Sequence, residues 1–195
     1  PDQIIGFYKS TKDQLSKNLS LSKKIKILIC ENLKTLSINT KLKKNNKILL
    51  VGDHDDTSTI SLLKIINNLN KDKKKYEFEY KPHPISKIKL SDFKNLSTIK
   101  VYENNNCFKK RYLAYIVSNK TSLGLELSEK KLKTGIILDK DTLNLSPVKK
   151  NYRFFISNEF ELKNFINSKN HYNSCKKKFK KISWKEIMNS WKKKL

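Results

Sequence analysis

From Lys47 onward the chain alternates between two hydrophobic periods, and that alternation constrains its fold more than any other feature. An apolar burst, Ile48 to Val51, is followed by Gly52, a polar stretch, and then Ile60, Leu62, Leu63, Ile65, Ile66 and Leu69 at helical spacing. A buried strand reads as a short continuous apolar run, whereas a helix repeats its apolar positions every three to four residues, so the segment predicts strand, loop, helix. Further strands are expected at Tyr76 to Tyr80, Ile99 to Tyr102, Tyr115 to Ser118, Gly135 to Leu138 and Phe154 to Ser157. Helices are expected at Phe108 to Leu113, Ser122 to Glu129 and Glu159 to Ser168, the last capped by Ser157 or Asn158. Strands alternating with helices over about 120 residues imply βαβ units, because parallel neighbours need a crossover between them. The expected fold is therefore α/β: a doubly wound, mostly parallel, Rossmann-like sheet with helices on both faces and a C-terminal helical tail.

Around that core the pattern weakens. Residues 1–45 are expected to be a linker and the remnant or start of an interdomain segment, with short strands at Pro1 to Tyr8 and Ile25 to Cys30, a polar helical or loop segment at Thr11 to Leu19, and a solvated connector at Lys41 to Asn46. Residues 46–170 are expected to be the Rossmann-like ligand-binding domain. Residues 171–195 carry Phe179, Ile182, Trp184, Ile187, Met188 and Trp191 among lysines, the pattern of a basic amphipathic helical tail that packs on the core or rests on anionic lipid. The chain opens at Pro1 with no charged n-region or apolar h-region, so no secretory signal is expected, and it reads as a piece of a longer protein.

Charge narrows the function classes. The net charge is +25, yet only Arg111 and Arg153 among the 43 basic residues are arginine. Base readout and bidentate phosphate clamps lean on the planar guanidinium, so specific nucleic-acid binding is disfavoured; an excess of Lys, Asn and Ile is what an AT-rich coding sequence yields. Peripheral contact with an anionic membrane remains open. No apolar run approaches the roughly 20 residues of a membrane-spanning helix. Cys30, Cys107 and Cys175 lack the paired spacing of a zinc or redox site and suit a reducing cytoplasm.

Three polar groups fall at expected strand ends, where ligands of open α/β sheets bind. The first is Gly52-Asp53-His54-Asp55-Asp56-Thr57-Ser58-Thr59. Its hydroxyls and amides suit a capped helix facing a phosphate, and its aspartates are better explained by capping than by a divalent metal, because the run lacks the fixed oxygen spacing of a calcium loop. The second is Lys81-Pro82-His83-Pro84: two prolines stiffen the backbone around His83, whose imidazole can donate to a phosphate oxygen with Lys81 adding field. The third is Ser118-Asn119-Lys120-Thr121-Ser122, opening a helix that carries Glu126 one turn in, where it can accept from ribose hydroxyls or pair with Lys130. There is no Gly-x-Gly-x-x-Gly and no Walker loop, which disfavours dinucleotide and ATP chemistry.

With these groups in this order, the stretch from Ile25 to Phe165 resembles the C-terminal half of a GT-B glycosyltransferase of the bacterial surface-carbohydrate and capsule type with a Lys-Pro-His-Pro motif. The resemblance rests on Ile48-Leu49-Leu50-Val51-Gly52-Asp53, on Tyr80-Lys81-Pro82-His83-Pro84 and on Ser118-Asn119-Lys120-Thr121-Ser122 followed by Glu126. It implies a cytoplasmic, metal-independent donor-binding half, peripheral at most to the inner face of the plasma membrane. His83 would stabilise the leaving phosphate, Gly52, Asp53, Lys81, Pro84, Ser118, Thr121, Ser122 and Glu126 would line the donor nucleotide site, and no cofactor beyond the nucleotide sugar would be required. His-Pro motifs are familiar from transferases using CMP-linked acidic sugars, so the resemblance admits a CMP-linked acidic sugar as donor, with UDP- and GDP-sugars open. The acceptor would be a glycan or a lipid-linked molecule, and the general base would belong to a missing N-terminal domain or partner chain. The alternatives are a polyol-phosphate transferase, a sugar-nucleotide epimerase-like protein, a half-enzyme that keeps only the fold, and a non-catalytic basic module binding anionic membrane or nucleic acid.

Overall fold

The computed structural model of the protein describes residues 3–6, 26–29, 44–71, 76–138 and 155–168. The chain divides into two compact units. In one, strands β1 (Gln3–Gly6) and β2 (Lys26–Ile29) pair in parallel, Gln3 opposite Lys26. The expected Thr11 to Leu19 segment and the basic tail lie outside the described residues.

The other unit contains a six-stranded sheet, all of whose described pairings are parallel. Its elements in chain order are β3 (Lys47–Val51), α1 (Asp56–Leu69), β4 (Glu77–Lys81), β5 (Lys100–Val101), β6 (Ala114–Ser118), α2 (Leu123–Glu129), β7 (Thr134–Ile137), β8 (Phe155–Ile156) and α3 (Glu159–Asn167). The spatial order is β5-β4-β3-β6-β7-β8. From β3 the chain winds outward to β4 and β5, and from β6 it winds the opposite way to β7 and β8. This is the 3-2-1-4-5-6 order of a doubly wound Rossmann-like sheet, with its switch point between β3 and β6.

Alternation along the strands divides the core between two faces. Ile48 and Leu50 of β3, Phe78 and Tyr80 of β4 and Ala114 and Ile116 of β6 cluster with Leu62, Leu63, Ile66 and Leu69 of α1 and with Leu162, Phe165 and Ile166 of α3. Leu62, Leu63 and Ile66 are wholly buried, each side chain stabilising the fold by about 1.5–3 kcal/mol. On the opposite face α2 approaches the sheet at Gly124, where an added Cβ would lie 3.1 Å from Val117 Cγ2 and 3.3 Å from Ile136 Cδ1. Helices thus cover both faces.

The expected helix at Phe108 to Leu113 is a correction. A short 3-10 turn, Asn105–Lys109, takes its place, and the chain then runs extended into β6. The apolar spacing is used differently: Cys107 and Phe108 are buried by the turn, and Tyr112 inserts beside the sheet to donate from its hydroxyl to Glu79 at 2.6 Å. A second 3-10 turn, Leu90–Asp92, anchors the β4–β5 connection by burying Leu90.

Candidate functional site

Register brings the three sequence groups to one height. Val51 lies opposite Lys81 on β4 and opposite Val117 on β6, so Gly52, Pro82 and Ser118 leave the sheet side by side at the carboxyl ends of three adjacent strands. Two of these strands, β3 and β6, flank the switch point, where diverging connections leave a crevice.

The loop between β3 and α1 begins tightly. The Gly52 amide donates to the Lys81 carbonyl at 3.0 Å, and an added Cβ would meet the Tyr80 hydroxyl oxygen at 2.8 Å and Thr59 Cγ2 at 3.3 Å. Only glycine lets the backbone pass over the tip of that ring. The Tyr80 hydroxyl is buried without a hydrogen-bond partner, and burial, with the nearby Asp56 charge, pushes its pKa up to about 12.

Asp53 is only 2% exposed, yet its carboxylate is surrounded by donors. One oxygen accepts from Ser118 Oγ at 2.6 Å, across the switch point. The other accepts from the His54 amide and contacts His54 Nδ1. The Asp53 amide donates to Thr59 Oγ1 at 2.9 Å, which anchors the loop to the first turn of α1. Two residues on, Asp55 caps α1: it accepts from the Thr57 amide at 3.3 Å, the Thr57 hydroxyl at 2.8 Å and the Ser58 hydroxyl at 2.9 Å, and it pairs with Lys120 Nζ. The Lys120 ammonium, followed by the Thr57 hydroxyl, holds the Asp55 carboxyl well below the usual carboxylate range. The N-terminus of α1 is thus filled by the protein's own carboxylate.

The loop after β4 carries His83. Its carbonyl accepts from the Ser86 amide at 3.0 Å, closing a turn, and Nδ1 accepts from the Ile85 amide at 3.4 Å. Ser86 Oγ donates to Asp56 Oδ1 at 2.9 Å and fastens this loop to α1. The His83 ring stands edge-on to His54 with centroids 6.0 Å apart. Pro84 is exposed on the rim. Lys81 is 5% exposed, and its ammonium donates to the carbonyls of Pro82 and Glu103 at 2.9 and 3.2 Å, bracing the loop from beneath.

Ser118 at the end of β6 and Lys120 in the loop after it reach across to Asp53 and Asp55 as described. Thr121 Oγ1 accepts from the Leu123 amide at 3.2 Å, and the Ser122 carbonyl accepts from the amides of Leu125 and Glu126. These bonds are local to the start of α2. Asp53 and Ser118 therefore meet across the switch point, and His83 lies beside His54. The bonds of Thr121 and Ser122, by contrast, stay within the start of α2, which also carries Glu126, and the Lys81 ammonium is held beneath its own loop. His54 and Lys120 complete the arrangement. Both stand within the polar runs at the strand ends without a role of their own there, although an Asp-His pair directly after a strand-terminating glycine is a signal for one. Among the described residues, no group of three or more His, Cys, Asp and Glu side chains could hold a metal ion, and no helix is long and apolar enough to cross a membrane.

Comparison with protein-family models, with curated proteins and with solved structures gave no match to this chain.

Proposed function

We propose that this chain is the donor-binding part of a nucleotide-sugar-dependent glycosyltransferase of surface polysaccharide or capsule biosynthesis, with a CMP-linked acidic sugar as its favoured donor. The observation that carries this reading is the position of Lys81-Pro82-His83-Pro84. The motif leaves β4 level with the switch point, the His83 ring stands edge-on to His54, and Ser86 fastens the same loop to Asp56 at the start of α1.

In this reading an acceptor hydroxyl attacks the anomeric carbon, the bond from that carbon to the phosphate oxygen breaks, and the electron pair leaves with the nucleotide. Negative charge then grows on the phosphate. Because Nδ1 of His83 accepts from the Ile85 amide, its Nε2 carries a proton and is available as a donor to that charge. A donor fixed in place before reaction lowers the barrier without reorganisation, and it needs no metal. The base that takes the acceptor proton lies outside this domain.

The test is a thermal-shift panel of CMP, UDP, GDP and CDP-glycerol, since a ligand that binds only the folded state raises its stability with concentration. Stabilisation by CMP is expected, and His83→Ala should abolish it while leaving the unliganded melting temperature unchanged. A preference for CDP-glycerol would move the assignment to polyol-phosphate transfer. Absence of any nucleotide response, or equal CMP binding by His83→Ala, would remove the donor-site reading.

A further inference from the structure

We infer that His54 is a second phosphate-facing imidazole, held by Asp53, and that it acts with His83 on the same departing phosphate. The inference rests on the donor-phosphate reading of His83 and extends it to a residue outside the Lys-Pro-His-Pro motif.

Three observations converge. First, the His54 imidazole is oriented: Nδ1 contacts the carboxylate of Asp53, which is itself fixed by the Ser118 hydroxyl and the His54 amide. With Nδ1–H committed to Asp53, Nε2 is the free nitrogen, and the side chain is 58% exposed. A buried carboxylate that fixes one ring nitrogen so that the other can act is the recurring way of orienting a working histidine.

Second, distance decides which part of the reaction His54 serves. A base and a leaving-group donor on opposite sides of a displacement are separated by three successive contacts of roughly 3 Å each, about 9 Å in all. The two ring centroids are 6.0 Å apart, well inside that separation. His54 is therefore too near His83 to be the acceptor's base, and the spacing suits two oxygens of one phosphate.

Third, the surrounding carboxylates are already engaged. Asp53 holds His54 and Ser118, Asp55 holds Lys120 and the start of α1, and Asp56 accepts from Ser86. When His54 carries its second proton, Nε2–H donates to a phosphate oxygen and the positive charge lies against Asp53. As the bond to the sugar breaks, that proton can pass to the phosphate, leaving neutral His54 with Nδ1–H on Asp53. Protons and electrons balance with no further reactant.

The experiment follows the imidazole nitrogens of the full chain by NMR with 15N-labelled histidine. The unliganded protein should show His54 as the Nδ1–H tautomer when neutral. Inorganic phosphate, and separately CMP, should move the His54 and His83 resonances along one saturation curve. His54→Gln, at an exposed position, should fold as the wild type and bind phosphate about tenfold or more weakly, the loss expected for one charge-assisted hydrogen bond. CMP binding that moves His83 alone, or unchanged phosphate affinity in His54→Gln, would overturn the role of His54 and leave the donor reading standing. Phosphate moving both imidazoles while no nucleotide binds would retain the paired phosphate site and remove the donor reading. An Nε2–H tautomer of His54 would overturn its orientation by Asp53.

Discussion

Replacing Asp55 by alanine should destabilise the protein by about 1.5 kcal/mol, through two separable interactions. The larger is the cap on α1, where the carboxylate accepts from Thr57 and Ser58; loss of such a cap costs about 1 kcal/mol. The smaller is the pair with Lys120, whose side chains are 22% and 32% exposed, so that solvent screening limits it to about 0.5 kcal/mol. With a urea dependence of about 2 kcal/mol per molar, the unfolding midpoint of Asp55→Ala should fall by about 0.7 M at unchanged slope. Asp55→Asn keeps an oxygen for the cap and gives up the charge, so only the smaller loss is expected. Lys120→Met should match it, and the double variant should lose no more than either alone. Acid supplies a second check. The Asp55 carboxyl titrates below its unfolded value, so its charge contribution is complete above the ordinary aspartate range near pH 4 and declines as the pH falls toward the folded value. The gap between wild type and Asp55→Asn should therefore narrow from pH 6 to pH 3. Equal losses in Asp55→Ala and Asp55→Asn, or a gap that widens in acid, would refute the division into cap and ion pair.

Gly135→Ala should destabilise by about 1–2 kcal/mol in urea titration, because the new methyl would lie 2.6 Å from Ile156 Cδ1, 3.0 Å from Phe165 Cε1 and 3.2 Å from Ile116 Cδ1. Adding Ile156→Val, which removes the closest of these atoms, should recover part of the loss. Tyr112→Phe should cost about 1–3 kcal/mol at pH 7 by taking a donor from the buried Glu79 carboxylate. Burial raises the pKa of Glu79, but hydrogen bonds from Tyr112, Tyr102 and Lys47, with the field of Lys110, outweigh it and leave the group below its ordinary value. Glu79 therefore stabilises above the unfolded glutamate range and loses that contribution as the pH falls below it. Wild-type stability should drop between pH 5 and pH 3, and Tyr112→Phe should drop less steeply.

The sheet was legible in the sequence where hydrophobic period and burial coincide. Ile48 to Val51 is apolar throughout because β3 is central and covered on both faces, and α1 shows its buried stripe at Leu62, Leu63, Ile66 and Leu69. Asn158 is the cap of α3, one of the two residues proposed from its side-chain chemistry. Phe108 to Leu113 misled because a 3-10 turn followed by an extended segment can bury the same apolar spacing as a helix once Glu79 offers Tyr112 a partner 33 residues away. Non-local pairing of that kind leaves no periodic trace. The strand ends that carry the candidate site could be read from where each apolar run stops, but the partners could not. Lys81 looks like a phosphate ligand by composition, while its ammonium is spent on two carbonyls. His54 looks like filler in an acidic capping run, and its relation to His83 depends on the register of β3 against β4.

The bonds from Ser118 to Asp53 and from Lys120 to Asp55 each join residues 65 positions apart. Neither can form until β3 and β6 lie side by side, since loop closure over that distance must be compensated by sheet pairing before two side chains can meet. The crevice is consequently a late product of folding, assembled only when the two halves of the winding have joined along their central seam. Its loops share the fate of that seam: an opening event that parts β6 from β3 would dissolve the site and would also strain the packing of α1, which rests on β6, β7 and α3 from the other half of the winding. Hydrogen exchange at the ladder amides that join β3 to β6 would then report the strength of the seam rather than the mobility of either loop.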